Sequence, residues 1–574
     1  MSVAAKEISR IVTRNKQLDV VRGPWLDIWS LIGRFVDTRV LDFTSLREQG
    51  PFVNREIFDT TAPRAATTAA SSILSALWPQ SVKRLRFVPP RSLPETSAIK
   101  AYYEEITRRQ MEVMDNPDAG LQLALDEYML EEMKNGTAGV ETMRDKKTKV
   151  KYRTWGVRNM KVAEGSDGRV NTIYIEWQQT VRQVVDTYGH DKVTEKTRGL
   201  YNEGKLEDWV TVLIAIEPRV EIKAGAKGKD RMPFQSVHME LEAKHVLRDG
   251  GFNELPINVA RMMKVLGEAY GRSSGMAAIS DTLEINTVME AVTIAIEKML
   301  DPPLGILDDG KLGGSDVDTS AGALNVFNIS GRAGEKNPVF PLFTVGEVKQ
   351  TVQLVEMLKQ SISDAFFLDR LLDFNNETRM TLGEANLRNK LRNSTLGGIY
   401  TRQIMECISP TVIRTFNILL EDGTFGYPAG SQELIDNPGA LVIPEEVAKL
   451  MASGQNVYEI EYFTPAMRIM QAEEAEGIMR AWEMAGVIAT AVPQVVDNLD
   501  EDKSIQAFAR IVGSPSEILR AQSAVDTIRK AREAAAQKQQ EMVAAQQGSE
   551  ALRNVGQSGL LQQATASQQA GQKK

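Results

Sequence analysis

The chain has 574 residues, 42% hydrophobic and 25% charged, enough for several hydrophobic cores and by length scaling roughly three or four domains. A formal charge of −8 argues against a surface built to grip nucleic acid, which neutralises phosphates with clustered Lys and Arg. The single cysteine, Cys407, excludes an intrachain disulfide framework and a zinc-finger ligand set, and without a signal peptide it reads as a buried thiol in a reducing compartment.

The 23 methionines and many alanines favour helix, so a mainly α protein with α+β parts is expected. Residues 2–48 carry helical spacing, with a second helix starting after Gly23-Pro24 and Trp25, Ile28, Trp29, Ile32 and Val36 on one stripe. The stretch "TTAPRAATTAASSILSALWP" is rich in small residues, which lets a backbone approach its neighbour closely before Pro79 ends the helix. Residues 97–134 predict an amphipathic helix or pair of helices. Residues 137–260 then predict strands and hairpins, with "KYRTWGV" and "VNTIYIEWQQT" alternating about the turn "GSDGR".

Asp281 and Glu284 form a capping-box pattern for a helix running to Leu300, a rod of roughly 30 Å. Pro302 and Pro303 end it by removing N–H donors, and Asp301 before them is pushed out of helical conformation. This run is the most hydrophobic helix, yet Glu284, Asn286, Glu290, Glu297 and Lys298 exclude a lipid-facing span. A glycine-rich insert with the β-like pieces "LNVFNI" and "NPVFPLF" separates it from a second rod, "VGEVKQTVQLVEMLKQSISDAFFLD", so the two rods predict a projecting helical hairpin. The polar interruption "RLLDFNNETRM" precedes a third long helix over 381–420, kinked at Gly397-Gly398 or Pro410. "NVYEIEYF" predicts a strand, 465–530 helices, and the glutamine-rich end a fraying helix passing into disorder.

No nucleotide or hydrolase motif is present. "AGAKGKDRMP" lacks the phosphate-loop spacing and reads as a hairpin tip. His190, His238 and His245 have no metal-ligand spacing and read as surface or turn residues. Asp308-Asp309 and Asp316 with Asp318 could hold metal ions for nuclease work, but their glycine-rich setting makes them turn residues. No cofactor and no enzymatic activity is expected.

Four stretches resemble the head-to-tail connector (portal) family of short-tailed bacteriophages: "FDTTAPRAATTAASSILSALWP" (58–79), "YRTWGVRNMKVAEGSDGRVNTIYIEWQQTVRQVVDTYG" (152–189), "LPINVARMMKVLGEAYGRSSGMAAISDTLEINTVMEAVTIAIEKMLDPPLGIL" (255–307) and "TRMTLGEANLRNKL" (378–391). With the order of elements between them, the resemblance covers roughly residues 1–530. It departs at "YGRSSG", where the family reads closer to Tyr-Gly-Arg-Gly-Pro-Gly.

The resemblance implies a wing over 1–280 and 381–465, stem helices over 281–300 and 346–370, a clip over 301–345 bounded by Asp301, Pro302 and Pro303, a channel loop over 371–380, crown helices over 466–530 and a flexible tail over 531–574. It further implies a ring of about twelve subunits at one capsid vertex. Double-stranded DNA would pass through the ring without sequence-specific contact, a terminase motor, tail or adaptor proteins, and capsid and scaffolding proteins would be partners, and no membrane is involved. Asn375, Asn376 and Arg379 would be channel-loop residues, and Lys349 and Lys359 stem cations. A packaging-associated nuclease or other enzyme subunit, and a helical scaffold unrelated to phage, are the alternatives.

Overall fold

The computed structural model describes residues 5–37, 57–80, 84–90, 92–94, 96–220, 222, 228–308, 318, 320–328, 339–341, 349–371, 396–437, 439–489, 492–512, 525–540 and 542. In chain order these form α1 (Ala5–Ile32), α2 (Thr61–Leu77), β1 (Leu85–Val88), α3 (Ser97–Met114), α4 (Leu121–Asn135), β2 (Thr137–Asp145), β3 (Lys149–Gly156), β4 (Met160–Glu164), β5 (Val170–Thr180), α5 (Val181–Tyr188) and α6 (Glu195–Asn202). Next come β6 (Trp209–Pro218), β7 (Phe234–Glu240), β8 (His245–Phe252), β9 (Ile257–Arg261), α7 (Ser274–Leu300), β10 (Leu304–Asp308), β11 (Leu324–Asn328), β12 (Val339–Pro341), α8 (Lys349–Ala365) and α9 (Leu368–Leu371). The last are α10 (396–403), α11 (Ser409–Glu421), β13 (Tyr427–Pro428), α12 (Gln432–Asp436), β14 (Val442–Ile443), α13 (Glu445–Ala452), β15 (Glu459–Tyr462), α14 (Pro465–Ala489) and α15 (Glu501–Val512).

The chain divides into two compact units, Met1–Met470 and Gln471–Lys574, where length alone predicted three or four. In the first, the strands of the 137–260 region make two sheets rather than one. β3-β2-β9 is antiparallel, and β4-β5-β6-β7-β8 is an antiparallel meander. "KYRTWGV" and "VNTIYIEWQQT" therefore lie in different sheets, and "GSDGR" joins β4 to β5. Helices α5 and α6 interrupt the strands. Thr180 and Gln183 form a reciprocal capping box at α5, a pattern the strand-rich surroundings hide.

Both faces of the five-stranded sheet are covered. Ile173, Ile175, Val212, Ile214 and Ile216 point into the main core, and Tyr174, Leu213, Ala215, Val237 and Met239 into a second, smaller one under α1. The alternation is the period-2 geometry of strands. His238, expected at the surface or in a turn, lies mid-strand and half-buried, with its Nδ1 2.8 Å from the Tyr188 hydroxyl. Burial, aided by Arg248, pushes its pKa down to about 4.

Ala62, Ala65, Ala66, Ala69 and Ala70 on α2 are buried, as the small-residue stretch predicted, and Ile73, Leu74 and Leu77 complete that face. α3 and α4 form the expected pair, separated by Gly120 in left-handed conformation. Helix α1 does not break at Gly23-Pro24. Its two flanks are each anchored by packing, and one missing hydrogen bond on an exposed face does not end it. The stripe continues through the π-helical turn Gly33–Asp37, with Trp29, Ile32 and Val36 buried.

The irregularity in the third long helix is a π-helical segment, Ile404–Ile408, just before Pro410; Gly397 and Gly398 sit in regular helix. Cys407 within it is fully buried, and burial with nearby Glu132 pushes its thiol up to about 12. β15 pairs antiparallel with β1, which gives "NVYEIEYF" a partner some 370 residues earlier in sequence, where Arg86 reaches Glu461 at 2.6 Å. In the second unit, α15 and residues 525–540 are helical, and Arg529 pairs with Asp502 at 2.6 Å.

Candidate functional site

The feature that stands apart is the helical hairpin of α7 and α8. Its entry is built from close backbone approaches. Gly136 has a φ of +82°, and a Cβ there would run into the Gly271 carbonyl; one on Gly271 would run into Gly136 and Arg261. The "YGRSSG" departure from the family pattern supplies the cap: the Ser273 hydroxyl accepts the Met276 N–H at 2.9 Å and donates to the Lys134 carbonyl at 2.6 Å. Tyr270 is buried against Trp25 and Trp29, its ring centroid 5.1 Å from that of Trp29.

Helix α7 therefore starts at Ser274, seven residues before the predicted Asp281, and its 27 residues span about 40 Å rather than 30. Asp281 is an interior residue whose carboxylate accepts the Ser361 hydroxyl of α8 at 2.5 Å. The base of the hairpin is tied to the body by Asn286. Its side-chain oxygen accepts the N–H groups of Phe58 (2.7 Å) and Asp59 (3.0 Å), and its amide donates to the Thr282 carbonyl at 2.7 Å. Asp59 in turn holds the Thr61 N–H at 2.7 Å at the start of α2 and faces Lys359 of α8 at 3.5 Å.

Ala278, Ile279, Thr282, Ile285 and Asn286 bury one stripe of α7. Beyond them that stripe runs on by helical spacing through Met289 and Val292, both half-buried, to Ile296 and Leu300, which reach solvent. Ile296 is 46% exposed, Met299 54% and Leu300 82%. On α8, Leu358, Ile362 and the following Phe366 are buried while Val352, Leu354 and Met357 are exposed. Apolar side chains thus flank the hairpin on more than one face. The acidic residues Asp281, Glu284, Glu290, Glu297, Glu356 and Asp364 outnumber Lys298, Lys349 and Lys359.

The Pro302-Pro303 stop falls where it was predicted. The Asp301 N–H makes the last helical bond, to Glu297 at 2.9 Å, and the Asp301 carbonyl accepts the Gly322 N–H at 2.9 Å. Pro303 is buried at this junction. β10 then pairs parallel with β11 and antiparallel with β12, a three-stranded sheet at the hairpin tip that contains both predicted β-like pieces. Asp318 is a turn residue, its carboxylate accepting the Ser320 N–H at 2.9 Å. No cluster of acidic, His or Cys side chains suited to a metal ion exists among the described residues.

Of the residues singled out in the sequence, Asp301, Pro302 and Pro303 lie together at the end of α7. Lys349 opens α8, and Lys359, exposed, is engaged with Asp59. Asn375, Asn376 and Arg379 lie outside the described residues. Ser273 and Asn286 were missed. Ser273 could have been found as a Ser immediately before a helical pattern, whereas the partners of Asn286 come from more than 200 residues away.

Residues 9–519 match the family described as bacteriophage head to tail connecting protein. The chain is 25% identical over 555 residues to the probable portal protein of Bordetella phage BPP-1, covering 95% of each chain. It is 25% identical over 563 residues to the portal protein of Salmonella phage epsilon15, covering 96% of each. Among solved structures, the neck of an empty GTA particle computed with C6 symmetry aligns over 80% of this chain and 92% of that one at 12% identity, with a TM-score of 0.33 that is too low to bear on the fold.

Proposed function

The chain belongs to the bacteriophage head to tail connecting protein family, and from that premise we propose that it is the portal subunit of a phage virion, assembling into a ring at one capsid vertex. The observation that carries this reading is the α7 stripe, buried in the body and then exposed over its outer turns. A helix whose apolar face leaves its own core needs a neighbour to cover it, and a cyclic head-to-tail ring supplies two, one on each flank. Both helices carry exposed apolar residues, Ile296, Met299 and Leu300 on α7 and Val352, Leu354 and Met357 on α8, which supports such an arrangement.

In this reading α7 and α8 are the stem, the β10–β12 sheet the clip, residues 371–380 the channel loop, the remainder of residues 1–465 the wing, and the C-terminal helices the crown. About twelve copies surround a channel through which double-stranded DNA is packaged by a terminase motor and later ejected. The clip receives tail or adaptor proteins, and capsid and scaffolding proteins meet the wing. The acidic balance of the stem suits a conduit, because fixed cations would hold phosphates through counterion release and stall the duplex. The role is structural and mechanical. No helix among the described residues is long and apolar enough to cross a membrane.

Negative-stain electron microscopy of the purified protein tests the reading. End-on views should show rings with a central hole and about twelve-fold symmetry. Monomers or compact dimers across a range of salt and protein concentration would refute it.

A further inference from the structure

Helix α1 is one helix serving two separate cores. Its first part places Ile11 and Leu18, with Ile8 and Val12 beside them, on Tyr174, Leu213, Ala215, Val237 and Met239 of the outer sheet face; its last part places Trp29 and Ile32 in the main core. The buried residues of the two clusters are distinct. Between them lie Gly23 and Pro24, both exposed, at the one place where the helix has a glycine followed by a residue with no N–H to give the Val20 carbonyl. A Cβ on Gly23 would meet nothing within 4 Å, so no packing explains the glycine. Val20 and Val21 beside it are exposed.

The first part is fastened by a row of polar clasps. Arg10 meets Glu217, which also accepts the Tyr174 hydroxyl at 3.0 Å. Asn15 donates to Glu176 at 2.7 Å, buried Lys161 reaches Asp19 at 2.7 Å and Glu176 at 2.6 Å, and Arg22 donates to the Arg158 carbonyl at 2.7 Å. Clasps of this kind are directional and release together when the geometry is lost, unlike a shared apolar core.

We propose that residues 5–22 form a jointed strap that opens on Gly23-Pro24 as a unit separate from the rest of residues 1–470, uncovering the apolar outer face of the five-stranded sheet. A released segment of that length frays in water, so its amides report the opening. Hydrogen exchange followed by mass spectrometry on the full chain tests it. Peptides within 6–22 should exchange at least tenfold faster than those within 27–32, and the double substitution Gly23→Ala/Pro24→Ala should slow the first set about tenfold without moving the second. Arg10→Ala, which loosens a clasp and leaves the joint intact, should accelerate the first set alone. Equal exchange in both parts of the wild-type helix, or acceleration of both parts by Arg10→Ala, would overturn the proposal.

Discussion

Glu132 on α4 shows what a single buried carboxyl does to the fold. Its side chain lies wholly inside, beside the Tyr128 hydroxyl, the Gln403 amide and Cys407, with Arg402 of α10 and Glu406 of the π-helical segment nearby, and burial pushes its pKa up to about 8. The folded chain therefore keeps a proton that the unfolded chain releases near the ordinary carboxyl value of 4.5. Stability from this group is complete below that lower value and is lost as pH rises through the upper one. Glu132→Gln keeps the shape and removes the titration. Its thermal midpoint should fall less than that of the wild type across this window, and parallel curves would show that Glu132 is ionised in the fold. Nothing in the sequence marks Glu132, because apart from Tyr128 its surroundings come from residues some 270 positions later.

At the scale of elements, the hairpin divides into a base packed into the body and outer turns that expose apolar side chains. Leu300 is 82% exposed, so Leu300→Asp should change the unfolding free energy by no more than about 0.5 kcal/mol, the usual range for surface sites. The same change places a charge in what the ring reading makes a subunit contact. Rings should dissociate at concentrations at least tenfold higher than for the wild type, measured by native mass spectrometry or sedimentation. Rings of unchanged stability would remove the outer part of α7 from the interface. The end of this helix was readable because two prolines impose it locally. Its start was not: Asp281 and Glu284 imitate a capping box, and Ser273 displaces it because the Gly136–Gly271 approach seats the chain about two turns earlier.

For the whole molecule, the proposed ring makes the distribution of charge around its channel the decisive quantity. In that reading a net acidic chain with few cations on α7 and α8, one of them engaged with Asp59, would keep contacts with DNA brief. Arg379→Ala should leave rings of wild-type symmetry by electron microscopy and change the amount of DNA packaged in a reconstituted reaction. Failure of the variant to form rings would make Arg379 an assembly residue and not a channel residue.

The sequence by itself determined the features that depend on neighbours along the chain: the mainly helical composition, the small-residue face of α2, the Pro302-Pro303 stop, the strand character of the 137–260 region and the family resemblance. Local sterics and hydrogen-bond chemistry act over a few residues and can be read there. The tertiary structure alone decided that those strands split into two sheets, that β1 waits for β15, that α1 passes through Gly23-Pro24 without ending, and that Asn286 and Lys359 grip the loop before α2. Each of these rests on contacts between segments from about a hundred to several hundred residues apart, or on packing strong enough to override a local breaker, and neither leaves a periodicity in the chain.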